Sequence, residues 1–206
     1  MTQFLVLAKS PVPGRVKTRL CPPWSHEQAA RIAAAALADT IATVSATAAV
    51  SRTLVVDGAY PTPAGWHTVP QCAGPLSDRL AEAFASVPSG PTVLLGMDTP
   101  QITTGLLAQA GEYAAADAAL GLAEDGGWWA LGLRDTSHAA VLRDIQTSTD
   151  KTGEQTLIAL RDRGLRVHLL PVLRDVDTAA DARSVAMVCR PDSGFRAAVE
   201  AVSDER

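Results

Sequence analysis

Lys9, Arg15, Lys17 and Arg19 place four cations within residues 9–19 of a chain whose net charge is −4. The first carboxylate comes only at Glu27. The cations follow a short apolar run, Phe4-Leu5-Val6-Leu7-Ala8, and share their segment with Pro11, Pro13 and Gly14. Two prolines so close together forbid a helix. A guanidinium can grip two phosphate oxygens at once, and an ammonium supplies a point charge. Cations gathered where a first strand ends therefore suit an anion, most simply the phosphates of a nucleotide. A solvated basic loop has the same composition.

Carboxylates stand at three other junctions. Asp98 ends the apolar run Thr92–Met97, just before Pro100. An aspartate there can ligate Mg²⁺ or Mn²⁺, which prefer oxygen and bridge to phosphates, or can cap the following helix. Asp125 lies in Glu124-Asp125-Gly126-Gly127 between two apolar runs. The glycines allow a tight turn or close approach of a ligand, and Asp-Gly is equally an ordinary hairpin signal. Trp128 and Trp129 follow, as a platform for a sugar or base or as core. Asp175-Val176-Asp177 has the D-x-D spelling of a metal motif, although Thr178 also reads as a helix cap. The three cysteines and four histidines are scattered; they form no zinc or disulfide pattern and receive no catalytic role. There is no P-loop, no G-x-G-x-x-G and no G-x-S-x-G elbow.

The elements that must position these residues alternate. Apolar strand-like runs fall at 4–8, 53–57, 67–70, 92–97, 118–123, 128–133 and 167–170. Between them, helical spacing marks segments after Ser25, at 76–87, from 106 to about 116, at 137–145, at 154–163, after Thr178 to about 189, and at 192–202. Ser25-x-x-Gln28 has the form of a capping box. The pattern reads as one α/β domain over residues 1–206 with a mostly parallel sheet, whose ligand sits beyond the carboxyl ends of the strands. The loops bearing Lys9–Arg19, Asp98 and Asp125 should then share one rim. Apolar residues make up 47% of the 206, which suits a packed globule. The acidic balance argues against a nucleic-acid partner. No apolar run approaches the roughly 20 residues of a membrane span, and the start reads as a strand, so a cytoplasmic protein is expected.

The motifs also resemble a known family. Ala8-Lys9-Ser10-Pro11-Val12-Pro13-Gly14-Arg15-Val16-Lys17-Thr18-Arg19-Leu20 is similar to the opening motif of a bacterial family of uncharacterised proteins with a GT-A glycosyltransferase-like fold. Some of its members are labelled glycosyltransferases of arsenosugar biosynthesis. Gly96-Met97-Asp98-Thr99-Pro100 resembles its G-x-D-x-P element, and Ala123 to Leu133 its A-x-D-G-G-Y-Y-L-x-G-L element. Ser148-Thr149-Asp150 and Asp175-Val176-Asp177-Thr178-Ala179-Ala180-Asp181 resemble its later elements. Pro75 stands where the family usually has an acidic residue, and Trp128 and Trp129 replace tyrosines; both departures bear on the acceptor.

The resemblance implies a three-layer α/β/α nucleotide-diphospho-sugar transferase fold with a mostly parallel mixed sheet, and a metal-dependent glycosyltransferase acting on a small acceptor. On that reading Lys9, Pro13, Gly14, Arg15, Lys17 and Arg19 take the nucleotide. Asp98 takes Mg²⁺ or Mn²⁺, with Asp177 as a second ligand. Asp125 orients or deprotonates the acceptor hydroxyl beside Gly126, Gly127 and Trp128. Two other readings stay open: a guanylyltransferase-like nucleotidyltransferase using a nucleoside triphosphate, and a non-catalytic nucleotide-binding protein.

Overall fold

In the computed structural model, which describes residues 2–113 and 115–205, the alternation becomes a seven-stranded sheet. The strands are β1 (Gln3–Lys9), β2 (Ser51–Asp57), β3 (His67–Pro70), β4 (Thr92–Gly96), β5 (Ala118–Ala123), β6 (Trp128–Leu133) and β7 (Val167–Leu173). Their order is β3-β2-β1-β4-β6-β5-β7. Only β6 runs against its neighbours, because a four-residue turn makes β5 and β6 a hairpin. Every other strand ends at the same rim, as the sequence requires of its polar loops.

Helix α1 (His26–Ala46) crosses back from β1. Its capping box is complete, with the Ser25 hydroxyl accepting from Gln28 N and the Gln28 amide oxygen accepting from Ser25 N. Ala30, Ala33, Leu37 and Val44 bury it against one sheet face, which it shares with α3 (Thr104–Ala110). The other face is covered by α2 (Leu76–Ala85), a 3-10 segment (Thr136–Asp144) and α4 (Thr152–Asp162). The outer side of α1 is apolar too. Ala29, Ile32 and Ala36 pack under α5 (Ala179–Val188) and α6 (Gly194–Asp204) around Phe195 and Val199. The expected three layers therefore carry a further pair of helices on α1.

Four readings need correction. The segment expected as a helix over 137–145 winds as 3-10 rather than α, with the Asp135 carboxylate accepting from Ser137 N at its start. The late strand runs on through Pro171 to Leu173; β7 is an edge strand, where a missing N–H leaves no ladder bond unmade. By length and composition α1 alone is long and apolar enough to cross a membrane, among the described residues. That apolarity belongs to a core helix buried on two sides. The helix after residue 104 ends at Ala110, and Ala114 lies outside the described residues.

Candidate active-site cleft

Where β1 ends, the chain enters the basic loop. Ser10 N donates to Asp57 O (2.8 Å) and Ser10 Oγ to Ala59 O (2.7 Å), which ties the loop to the end of β2. Gly14 has φ +74, and a Cβ there would meet nothing within 4 Å, so conformation and not space demands the glycine. Lys17 adopts the left-handed region with φ 46, rare for a residue with a side chain. Its neighbours Val16 and Leu20 are buried and anchor the loop. The Lys17 ammonium lies 2.9 Å from Asp98 Oδ2 and 3.1 Å from Asp177 Oδ1, with its side chain only 12% exposed. Burial pulls its pKa down, but the two carboxylates outweigh that and raise it above the ordinary lysine value. Arg19 donates to Asp177 Oδ2 at 3.1 Å. Lys9 approaches Asp57 at 3.9 Å, and Arg15 is exposed with no ion pair among the described residues. Lys17 is thus a resident cation of the acidic site and not a free arm. Pro13 and Gly14 form the exposed outer turn, off the cleft walls.

The acids gather on the far side of Lys17. One carboxylate oxygen from each of Asp125, Asp175 and Asp177 lies within 4.8 Å of the others. Asp175 and Asp177 flank buried Val176 in an extended segment, so alternation puts both on one side. Val176 N donates to Asp98 O (2.9 Å), pinning this segment to the loop after β4. Asp125 joins because β5 pairs with β7, and Gly127 N donates to its Oδ1 at 2.7 Å, fixing the carboxylate. Burial, with Asp125 and Asp177 adding repulsion, pushes Asp175 up to about 6, against a smaller lowering by Lys17. Asp98, expected as the main metal ligand, stands outside this cluster with Lys17 as its partner. Hard carboxylate oxygens this close together fit Mg²⁺ or Mn²⁺.

Two parts of one cleft meet at this cluster. The first, of 360 Å³, is walled by Lys9, Arg15, Lys17 and Arg19 together with Gln71 and Arg79. The second, of 580 Å³, is walled by Asp125, Gly127, Trp128, Asp175 and the 147–150 segment. Arg19, Asp98 and Asp177 border both. Half-buried Trp128 faces the cleft, whereas Trp129 points to the opposite sheet face, where it covers Gly121 and donates from Nε1 to Pro171 O (3.0 Å). Gly126 is not on the wall. Its φ is +88, and a Cβ would fall 2.0 Å from Asp150 O, so it lets the hairpin pack against the segment leading into α4. Ser148 in that segment also has positive φ, 62. Sequence reasoning did not single out Asp175 as a site residue, and gave Gln71 and Arg79 on the cleft wall no role. The D-x-D spelling carried the signal for Asp175; an arginine inside an amphipathic helix carried none.

A family described as an uncharacterized protein conserved in bacteria (DUF2064) matches residues 29–149. No curated protein matches the chain. Among solved structures, a candidate nucleotide-diphospho-sugar transferase from Desulfovibrio desulfuricans G20 is similar, with 25% identity and a TM-score of 0.83 over 99% of this chain and 94% of that one. A nucleotidyl transferase from Methanothermobacter is similar at 16% identity and TM-score 0.58, over 96% of this chain and 99% of that one. Rv0371c of Mycobacterium tuberculosis H37Rv, in complex with manganese, is similar at 19% identity and TM-score 0.50, over 97% and 98%. The fold is that of the nucleotide-diphospho-sugar transferases.

Proposed function

This chain belongs to the bacterial DUF2064 family, and we propose that it is a metal-dependent glycosyltransferase that moves a sugar from a nucleoside-diphosphate sugar to a small hydroxyl acceptor. The observation that carries this reading is the juxtaposition at Asp177: a basic pocket on one side and a carboxylate cluster on the other, along one cleft. A diphosphate needs cations, and a divalent ion needs carboxylates that leave room for phosphate oxygens. The likeness to a candidate nucleotide-diphospho-sugar transferase over nearly the whole chain supports the same substrate class. The manganese complex of a more distant neighbour supports the choice of ion.

Lys9, Arg15 and Arg19 take the diphosphate. Asp175 and Asp177 would hold Mg²⁺ or Mn²⁺, which when bound supplies positive charge to the departing diphosphate. Lys17, held by Asp98 and Asp177, offsets part of the negative charge at the cleft and would reach the same phosphates. Asp125 is the exposed member of the cluster. Gly127 N engages one of its oxygens, leaving the other to orient an acceptor hydroxyl and accept its proton as the hydroxyl oxygen bonds to the sugar carbon and that carbon's bond to the diphosphate breaks. Gly127 and Trp128 form the wall beside it.

The test separates the two carboxylate roles. Asp177→Asn should abolish measurable Mn²⁺ binding at the concentrations that saturate the wild type, and turnover with it. Asp125→Asn should keep Mn²⁺ and donor binding within a few fold, yet lose about 100- to 10,000-fold in kcat, the usual contribution of a positioned acid or base. Equal metal binding in wild type and Asp177→Asn would contradict the assignment. The likeness to a nucleotidyl transferase favours one second reading. There the cleft takes a nucleoside triphosphate, and the released product is pyrophosphate instead of a nucleoside diphosphate.

A further inference from the structure

Arg79 has no role in the reading so far, yet its surroundings are unusual for a structural arginine. It sits one turn into α2 on the wall of the basic pocket that Lys9 and Arg15 also line. Helical side chains lean toward their helix N-terminus, so its guanidinium is carried back to the cleft rim where α2 begins. One terminal nitrogen donates to Gln71 Oε1 at 3.1 Å. Gln71 is itself fixed: its Nε2 donates to Ala8 O (2.7 Å) and Val55 O (3.2 Å), the carbonyls of β1 and β2. With both amide hydrogens used, only its oxygen is left for Arg79. Gln71 therefore aims the guanidinium.

The other half of the fork is unmet. Arg79 Nε is buried and has no hydrogen-bond partner, and the guanidinium has no ion pair, among the described residues. Its neighbour in sequence, Asp78, pairs instead with Arg143 (3.1 Å). The carboxylates nearest the pocket, Asp98 and Asp177, are engaged by Lys17 and Arg19. A buried N–H without an acceptor is destabilising, and a guanidinium on a cleft wall with donors still unmet suits an anion that offers two oxygens.

We propose that Arg79 is a phosphate-binding residue of this cleft, positioned by Gln71, and that it grips the ligand's phosphates from the α2 wall while the Lys9–Arg19 loop supplies the other cations. The proposal rests on the nucleotide reading above and adds a contact that the basic motif does not contain. It also makes the phosphate, and not the base, the group that Arg79 recognises.

The experiment is a set of Mg²⁺-containing titrations of wild type, Arg79→Met and Arg79→Lys. The probes are inorganic pyrophosphate, the common nucleoside diphosphates and the corresponding nucleosides, with the melting temperature of each ligand-free protein measured in parallel. Ligand-free Arg79→Met should melt within a few degrees of wild type, because it loses one hydrogen bond to Gln71, whose own bonds to β1 and β2 remain, together with a buried donor that has no partner among the described residues. Its Kd for pyrophosphate and for the preferred diphosphate should rise tenfold or more, with nucleoside binding unchanged. Arg79→Lys, which keeps the charge but loses the fork, should fall between. A large loss of melting temperature with unchanged phosphate affinity in both variants would make Arg79 structural and overturn the proposal. An equal loss for nucleosides and diphosphates would also overturn it, by assigning Arg79 to the base. Wild-type protein that binds neither pyrophosphate nor any diphosphate would overturn the functional reading and this contact together.

Discussion

Asp175 is the residue whose charge the site controls most strongly. Burial and two neighbouring carboxylates hold its pKa near 6, above the roughly 3.9 of an unfolded aspartate. A group with a raised folded-state pKa contributes stability that is fully present below the unfolded value and is lost as pH rises through the folded one. Metal-free wild type should therefore lose stability relative to Asp175→Asn between about pH 4 and pH 6–7, measured by denaturant melts at each pH. Parallel pH profiles would contradict that environment. Since an ion must displace the same proton, Mn²⁺ affinity should climb over the same interval. At this scale the sequence was informative about which carboxylates line the cleft, because Asp98 and Asp125 follow apolar runs and Asp177 stands in the D-x-D spelling. It was silent on their partners. Lys17 meets Asp98 and Asp177 across long sequence separations. The approach of Asp125 to Asp175 depends on the pairing of β5 with β7, which no local pattern encodes.

The elements carry a second requirement, the close packing of the β5–β6 turn against the segment before α4. Gly153 N donates to Gly126 O (2.8 Å), and a Cβ on Gly153 would come 2.5 Å from Gly127 O. With the 2.0 Å approach at Gly126, the two backbones interlock. Gly126→Ala combines a left-handed backbone with a clash against main chain, and should cost about 2–4 kcal/mol. For a chain of this size that is a fall in Tm of roughly 5–15 °C. An unchanged Tm would mean that the hairpin does not seat there. The glycines were legible as turn residues, but the surface they turn against was not. Strand positions were readable because buried parallel strands appear as apolar runs bounded by glycine and proline. The reversed direction of β6 followed from the short Glu124–Gly127 turn. The 3-10 winding of Thr136–Asp144 did not follow, because 3-10 and α spacing are close over so short a segment.

For the whole molecule, the sheet order brings the ends of β1, β4, β5 and β7 to one rim, and the cleft is what those ends enclose. α1, buried on two sides, ties that rim to the outer helices α5 and α6, and the D-x-D segment leads directly into α5. A ligand that bridges the basic loop and the acidic cluster therefore joins the start of the chain to its last third, and should stabilise the fold as a unit. The most direct measurement of the central claim is a melting scan of the protein with Mn²⁺ and a panel of nucleoside-diphosphate sugars, nucleoside diphosphates and nucleoside triphosphates. A diphosphate sugar present at about 100 times its Kd should add about 2.7 kcal/mol, a rise of roughly 5–10 °C, which disappears without metal and in Asp177→Asn. Stabilisation by a triphosphate with none by any diphosphate sugar, or by a diphosphate sugar equally with and without metal, would contradict the metal-dependent sugar transferase.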